Sequence, residues 1–262
     1  MSDVILKTSV RDVSAKTLRR KAKERFAIAK KYERQYLRSL RQVTRQVDHL
    51  VKGMIPETGF GQSHELQRAL HQYSQVITPW ARAVAGRMLW DIARKDEAAW
   101  IRLGDEIGRG LREELQDAPV GVFLNKMLEE QVHLITSLPT NAAKRVHLLT
   151  AEALTSGRRA ADITNEILQT GDVTESRAKL IARTEVARTA SGLTMARATH
   201  IGSTHYIWRT SRDSTVRESH KNMEGKVCAW DDPPEVEPGK HYHAGMFPNC
   251  RCFPEPIVGE YD

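Results

Sequence analysis

Between Ala22 and Leu50 the apolar residues return at alternating intervals of three and four. They are Ala22, Phe26, Ala29, Tyr36, Leu40, Val43, Val47 and Leu50, with only Glu33 out of place. Strand side chains alternate with period two, so this spacing commits the stretch to a helix with one narrow seam over about four heptads. A single stripe requires a partner helix, in this chain or in another subunit. Most of the remaining surface is basic: Arg19, Lys21, Lys23, Arg25, Lys30, Lys31, Arg34, Arg38, Arg41 and Arg45. Gly53, Pro56 and Gly59 are the stop signals.

Charge divides the chain. Residues 1–50 hold 14 Lys and Arg against 5 Asp and Glu, a balance of +9 within a total of +7, so the remaining residues sum to −2. Residues 213–262 hold 5 basic and 10 acidic side chains, a balance of −5. A basic front suits contact with nucleic acid or with an acidic protein surface, and an ordinary solvated helix face accounts for it equally simply. At 262 residues the chain has room for one large domain or two modest ones. No apolar run approaches the ~18–20 residues of a membrane span. The stretch Met1–Val4 lacks the marks of a secretion signal. An intracellular start with no membrane contact is the expectation.

Residues 62–155 read as further helices, with breaks expected at Pro79, Gly104, Pro119 and Pro139. Trp80, Trp90 and Trp100 recur every ten residues, close to three helical turns, which predicts core or interface anchors near one face. A second unit begins near Leu154. Gly157 and Gly171 bracket a short helix, and Thr174 caps a longer one running to about His200. On it Ala178, Ala182, Val186, Thr189, Leu193 and Ala196 make one stripe, with Gly202 just past the end. Residues Thr204 to Thr210 are β-branched and aromatic, hence a strand. A compact, proline-rich tail follows. The expected fold is α+β and mostly α: a helical N-terminal region, residues 1–154, followed by a small α+β unit, residues 155–262, with a short β-sheet.

The tail concentrates residues that carry chemistry. His220, Cys228, His241, His243, Cys250 and Cys252 fall within 33 positions. Cys250 and Cys252 are two apart, so on an extended backbone they share a face and can reach one ion. His220 or His243 would complete a tetrahedral zinc site. Buried cysteines with exposed histidines are the plainer alternative. Further back, Arg183 and Glu185 stand roughly 160° apart around their helix and cannot share a pocket. Glu185, at the edge of the apolar stripe, needs a partner if it is half-buried, and Arg217 is a candidate. No nucleophile elbow, phosphate-binding loop, dinucleotide turn or zinc-protease motif occurs. A metal-dependent nuclease or a toxin-like effector could be built on the His/Cys cluster, but the acidic tail would repel phosphate.

The order Arg183-Thr184-Glu185, Gly192, Gly202, Trp208, Asp213, Arg217, His220, Gly225-Lys226-Val227 and Phe247-Pro248-Asn249-Cys250-Arg251-Cys252 resembles the phage Mu F-like family of head morphogenesis proteins, also called minor head or minor capsid proteins. The resemblance covers roughly residues 155–258. Many family members carry a histidine before the proline of the closing motif, where this chain has Phe247, with His241 and His243 nearby. The resemblance implies a non-enzymatic virion protein of a tailed phage or prophage, present in few copies per head. It implies partnership with the portal and other head proteins during assembly in the host cytoplasm. It also implies accompanying or influencing the DNA at ejection, while the charge of the basic N-terminal helix suits non-specific DNA contact. Arg183, Glu185, Trp208, Asp213, Arg217 and Asn249 are then structural motif residues, and His220, His243, Cys250 and Cys252 the candidate zinc ligands.

Overall fold

The structure, a computed structural model, describes residues 15–55, 61–107, 119–156 and 159–258. In chain order the described elements are α1 (Ala15–Met54), α2 (Ser63–Val76), α3 (Thr78–Ile107), α4 (Val120–Ser156), α5 (Ala160–Leu168), α6 (Thr170–His200), β1 (His205–Arg209), α7 (Glu218–Lys221), β2 (Val227–Ala229), β3 (Glu235–Glu237), β4 (Lys240–His241) and β5 (Phe253–Pro256). The fold is mostly α with a small C-terminal sheet, as expected. The chain divides into two compact units, each gathered from separated stretches. One takes its described residues from within Met1–Tyr32, Leu89–Lys126 and Arg183–Asp262; the other comprises Glu33–Met88 and Met127–Ala182. The expected boundary at residue 154 falls in the last turn of α4.

In the second of these units the seam of α1 is covered by the chain itself. Tyr36, Leu40, Val43 and Val47 are buried, and Tyr36 Oη donates to Gln131 Oε1 of α4 at 2.9 Å. Val51 and Ile55, and not Leu50, continue the buried series. A straight helix drifts by about 20° per heptad against a 3.5-residue repeat, so the stripe slips by one position. Ala22 and Phe26 lie outside the residues whose side chains are described. Arg34, Arg38 and Arg45 are exposed on the opposite face, while Arg41 is half-buried and pairs with Glu175 of α6 at 3.3 Å.

Four expected features of the helices differ. The break near Pro79 falls at Ile77, and the proline sits in the first turn of α3, where its missing N–H costs nothing. The chain passes through Gly104 inside α3 and through Pro139 inside α4. Around Pro139 side-chain hydroxyls reach the nearby backbone: Ser74 Oγ donates to Thr136 O at 2.8 Å, and Thr140 Oγ1 donates to the same carbonyl at 3.2 Å. The carbonyl that the proline leaves without its helical donor is that of Ile135, one residue earlier, so these bonds brace the neighbouring position of the turn. The break before α6 falls at Gln169, so Gly171 and Thr174 lie within the helix, and Thr174 Oγ1 bonds back to Thr170 O at 2.7 Å. Gly171 is required for packing: a Cβ there would stand 2.2 Å from Asp48 Oδ1. Gly157 lies outside the described residues.

The tryptophans do not share a face. Trp100 is fully buried, Trp90 is 70% exposed and Trp80 is intermediate. Ten residues fall short of three turns by about 80°, so each successive indole rotates further around the helix.

The other unit holds the sheet. β1 is its central strand, antiparallel to β2 and β5. Tyr206 and Trp208 alternate inward and join a core with Trp100, Met223, Trp230 and Phe247. Pro254 and Pro256 are tolerated because β5 is an edge strand. Ile257 N–H donates inward to His205 O at 3.0 Å, so the alternate positions held by proline face outward. α6 feeds into β1 through Gly202, whose φ of 79° ends the helix; Ser203 N–H reaches back to Ala198 O at 2.9 Å. The stripe on α6 is buried at Ala178, Ala182, Val186, Thr189 and Leu193, with Ala198 taking over from the half-buried Ala196. At Gly192 a Cβ would stand 2.3 Å from the Phe123 ring, so the glycine admits that ring against α6.

Candidate metal centre

His220 is carried by the single turn α7, and Cys250 and Cys252 by the loop entering β5. Two backbone features bring these segments together. Gly225, with φ 82°, turns the chain out of α7; its N–H donates to Trp208 O at 2.8 Å and Trp208 N–H donates to Lys226 O at 2.8 Å, which seats α7 against β1. Asn249 adopts φ 59° immediately before the cysteines.

His220 Nδ1 lies 3.4 Å from Cys250 Sγ and 3.5 Å from Cys252 Sγ. All three donor atoms fall within 4.8 Å of one another. Ligands on a tetrahedral zinc, with bonds of about 2.3 Å to sulfur and 2.0 Å to nitrogen, would stand about 3.5 Å apart. The three residues are only 2–4% exposed. Buried imidazoles ordinarily spend their nitrogens on hydrogen bonds. His220 faces two sulfurs with Nδ1, and its Nε2 has no hydrogen-bond partner among the described residues. Trp208 and Phe247 close the ring in at 5.6 and 5.5 Å, both edge to face. The hydrogen bond from Cys252, then His220, pulls the Cys250 thiol well below its ordinary value, while the same bond pushes Cys252 up. A metal ion would take both sulfurs as thiolates and displace their protons. The donor set therefore fits a soft or borderline ion such as zinc.

His243 does not join this group. Its Nδ1 lies 3.2 Å from Tyr206 Oη, in the aromatic core beside Trp230. His241 is exposed, with Nδ1 3.1 Å from Pro233 O, and neither histidine stands in for a donor at position 247. Cys228 is buried apart from the triad, its Sγ 3.9 Å from Lys226 O. The donor expected for Glu185 also changes. Its buried carboxylate accepts from Arg188 Nη1, one turn along α6, at 3.1 Å to each oxygen. Arg217 instead donates to Pro248 O at 3.1 Å and lies over the Phe247 ring at 4.9 Å.

The remaining motif residues tie the tail down. Arg183 Nη1 donates to Asn249 Oδ1 at 2.9 Å, and Arg251 Nη1 donates to Asp213 Oδ2 at 2.9 Å. Asp213 also accepts from Thr215 and Ser211, and these bonds, Thr215 first, hold its carboxyl well below the usual carboxylate range. A second network links Arg209 to Glu255 at 2.5 Å and Glu224 to Arg212 and Thr210 at 2.7 Å. Burial pushes Glu224 up, but these bonds outweigh it and leave the carboxyl low. Thr184, Arg188 and Glu224 carry roles that sequence reading missed. Thr184 and Arg188 flank Glu185, and that spacing was the available signal for them.

These groups predict acid sensitivity in two stages. Burial lowers the His243 pKa, so its contribution is present above the unfolded value of about 6.5 and is lost as pH falls. Asp213 and Glu224, also lowered, contribute above about pH 4 and lose that contribution below it. The urea midpoint should fall from pH 8 to 5, and more steeply below 4. In His243→Gln the upper fall should shrink; an unchanged upper fall would remove His243 from the explanation.

Residues 144–254 match the family described as Phage Mu protein F like protein. Over 92 residues the chain is 36% identical to an uncharacterized protein of Haemophilus influenzae (strain ATCC 51907 / DSM 11121 / KW20 / Rd), covering 35% of this chain and 20% of that protein. The chain thus spans about a fifth of the length of the curated relative it matches. No solved structure matches it. Among the described residues no helix is long and apolar enough to cross a membrane.

Proposed function

We propose, for a chain whose residues 144–254 match the phage Mu F-like family, that it is a minor head protein of a tailed phage or prophage. It acts in head morphogenesis beside the portal and other head proteins, assembles in the host cytoplasm, becomes part of the virion head, and accompanies or influences the DNA at ejection. The observation that carries this reading is the family match over residues 144–254. Within the matched region zinc, held by His220, Cys250 and Cys252, cross-links α7 to the loop before β5. The nuclease or effector reading is not favoured, because the three donors are buried behind Trp208 and Phe247.

The exposed stripe of Arg34, Arg38 and Arg45 on α1 supplies the docking charge for an acidic partner surface, or for DNA. Deleting the gene from an inducible phage should give defective or empty particles, restored by the wild-type gene in trans. Complementing instead with Arg34→Glu, Arg38→Glu and Arg45→Glu together should leave a folded protein that enters few particles. Normal infectious yield from the deletion phage would refute the assignment; wild-type incorporation of the triple variant would refute the role of the basic face.

A further inference from the structure

Asn249 is unusual twice over. Its backbone is left-handed, a conformation that side chains other than glycine adopt at a cost and that asparagine tolerates better than most. Its side chain and its backbone are also both tied to α6: Oδ1 accepts from Arg183 Nη1 at 2.9 Å, and its backbone N–H donates to Thr184 Oγ1 at 2.9 Å. The chain is pinned on either side. Pro248 O accepts from Arg217 at 3.1 Å, and Arg251 is held by Asp213 at 2.9 Å. Pro248 has its own φ set by its ring. The torsions at residue 249 therefore decide where the backbone carries Cys250 and Cys252.

We propose that Asn249 is the positioning residue of the metal centre. Arg183 and Thr184 hold it in the left-handed conformation that aims both sulfurs at His220 Nδ1. The proposal rests on the metal reading above and assigns to Arg183-Thr184 a duty in the centre without contact with the ion. Thr184 is buried, so its hydroxyl oxygen is a fixed acceptor. A residue that relaxes out of the left-handed region would rotate the Cys250 and Cys252 sulfurs away while leaving every ligand in place. Glycine would keep the conformation and lose only the bond to Arg183.

The test uses the full chain loaded with zinc, and separately with Co(II), in the wild type and in Asn249→Val, Asn249→Gly and Thr184→Val. Zinc affinity is read by chelator competition and ligand geometry by the sulfur-to-cobalt charge-transfer band. Outer-shell partners of metal ligands are worth about 10–100-fold in affinity. Asn249→Val should lose about that much and shift the band, Thr184→Val should lose about tenfold, and Asn249→Gly should retain the wild-type band with a smaller loss. If Asn249→Val does not fold, Asn249→Ala and Thr184→Val carry the same contrast. Unchanged affinity and band in the valine or alanine variant and in Thr184→Val would overturn the proposal. Equal damage from glycine and valine would overturn its backbone basis. A wild type that takes up no metal would instead sink the metal reading, and this inference with it.

Discussion

Changing Cys250→Ser and Cys252→Ser together should empty the metal centre and produce the largest loss of any pair of substitutions in the unit that holds the sheet. Wild-type protein purified under reducing, chelator-free conditions should carry about one zinc per chain and the double variant none, by elemental analysis. The substitutions are nearly isosteric, so without a metal they would cost only about 1–3 kcal/mol for each buried hydroxyl left without a partner. With zinc at 1,000 times its dissociation constant, a further ~4 kcal/mol of stabilisation disappears by mass action. A chelator should therefore lower the melting temperature of the wild type and leave the double variant unmoved. A wild type free of zinc and indifferent to chelator would leave the three residues as ordinary core.

The second large effect lies away from the metal. Arg197 Nε and Asp96 Oδ2 are 2.9 Å apart, with side chains only 6% and 9% exposed, and Thr194 Oγ1 adds a bond to Asp96 at 3.4 Å. Removing one member of such a pair strands a buried charge, at about 3–5 kcal/mol. Asp96→Ala should lower stability by that amount in urea unfolding, while the double variant Asp96→Leu with Arg197→Met should recover most of it. Arg82→Ala, which breaks the exposed fork from Arg82 to Glu129, should change little. A loss below about 1 kcal/mol for Asp96→Ala would mean that Arg197 finds another acceptor or reaches water.

The periodic features were legible from the sequence because they follow from covalent geometry. The seam at Tyr36, Leu40, Val43 and Val47 lies where spacing put it, and the β-branched and aromatic run Thr204 to Thr210 supplies strand β1. Breaks were less legible. Pro139 reads as a stop, but α4 continues through it, and no local pattern announces the tertiary packing that keeps such a helix whole. The three tryptophans failed for an arithmetic reason, since the shortfall per ten-residue step accumulates.

The candidate site divides in the same way. Cys250 and Cys252 share a face by alternation, and His220 was named beside them. Choosing between His220 and His243 required tertiary placement, because both are buried and both belong to the same compact tail. Glu185 was correctly read as needing a partner, yet the local Arg188 serves it and Arg217 goes to the Pro248 carbonyl. A cation one turn away on the same helix is always within reach, whereas a distant one depends on the fold.

The head assignment is tested most directly by quantitative mass spectrometry of density-purified particles from the induced phage. A minor head protein should be present in every preparation at a few copies per portal ring and should stay with the particles through high-salt washing. Its absence from filled and empty heads alike, with the protein left entirely in the soluble fraction of the lysate, would contradict the assignment.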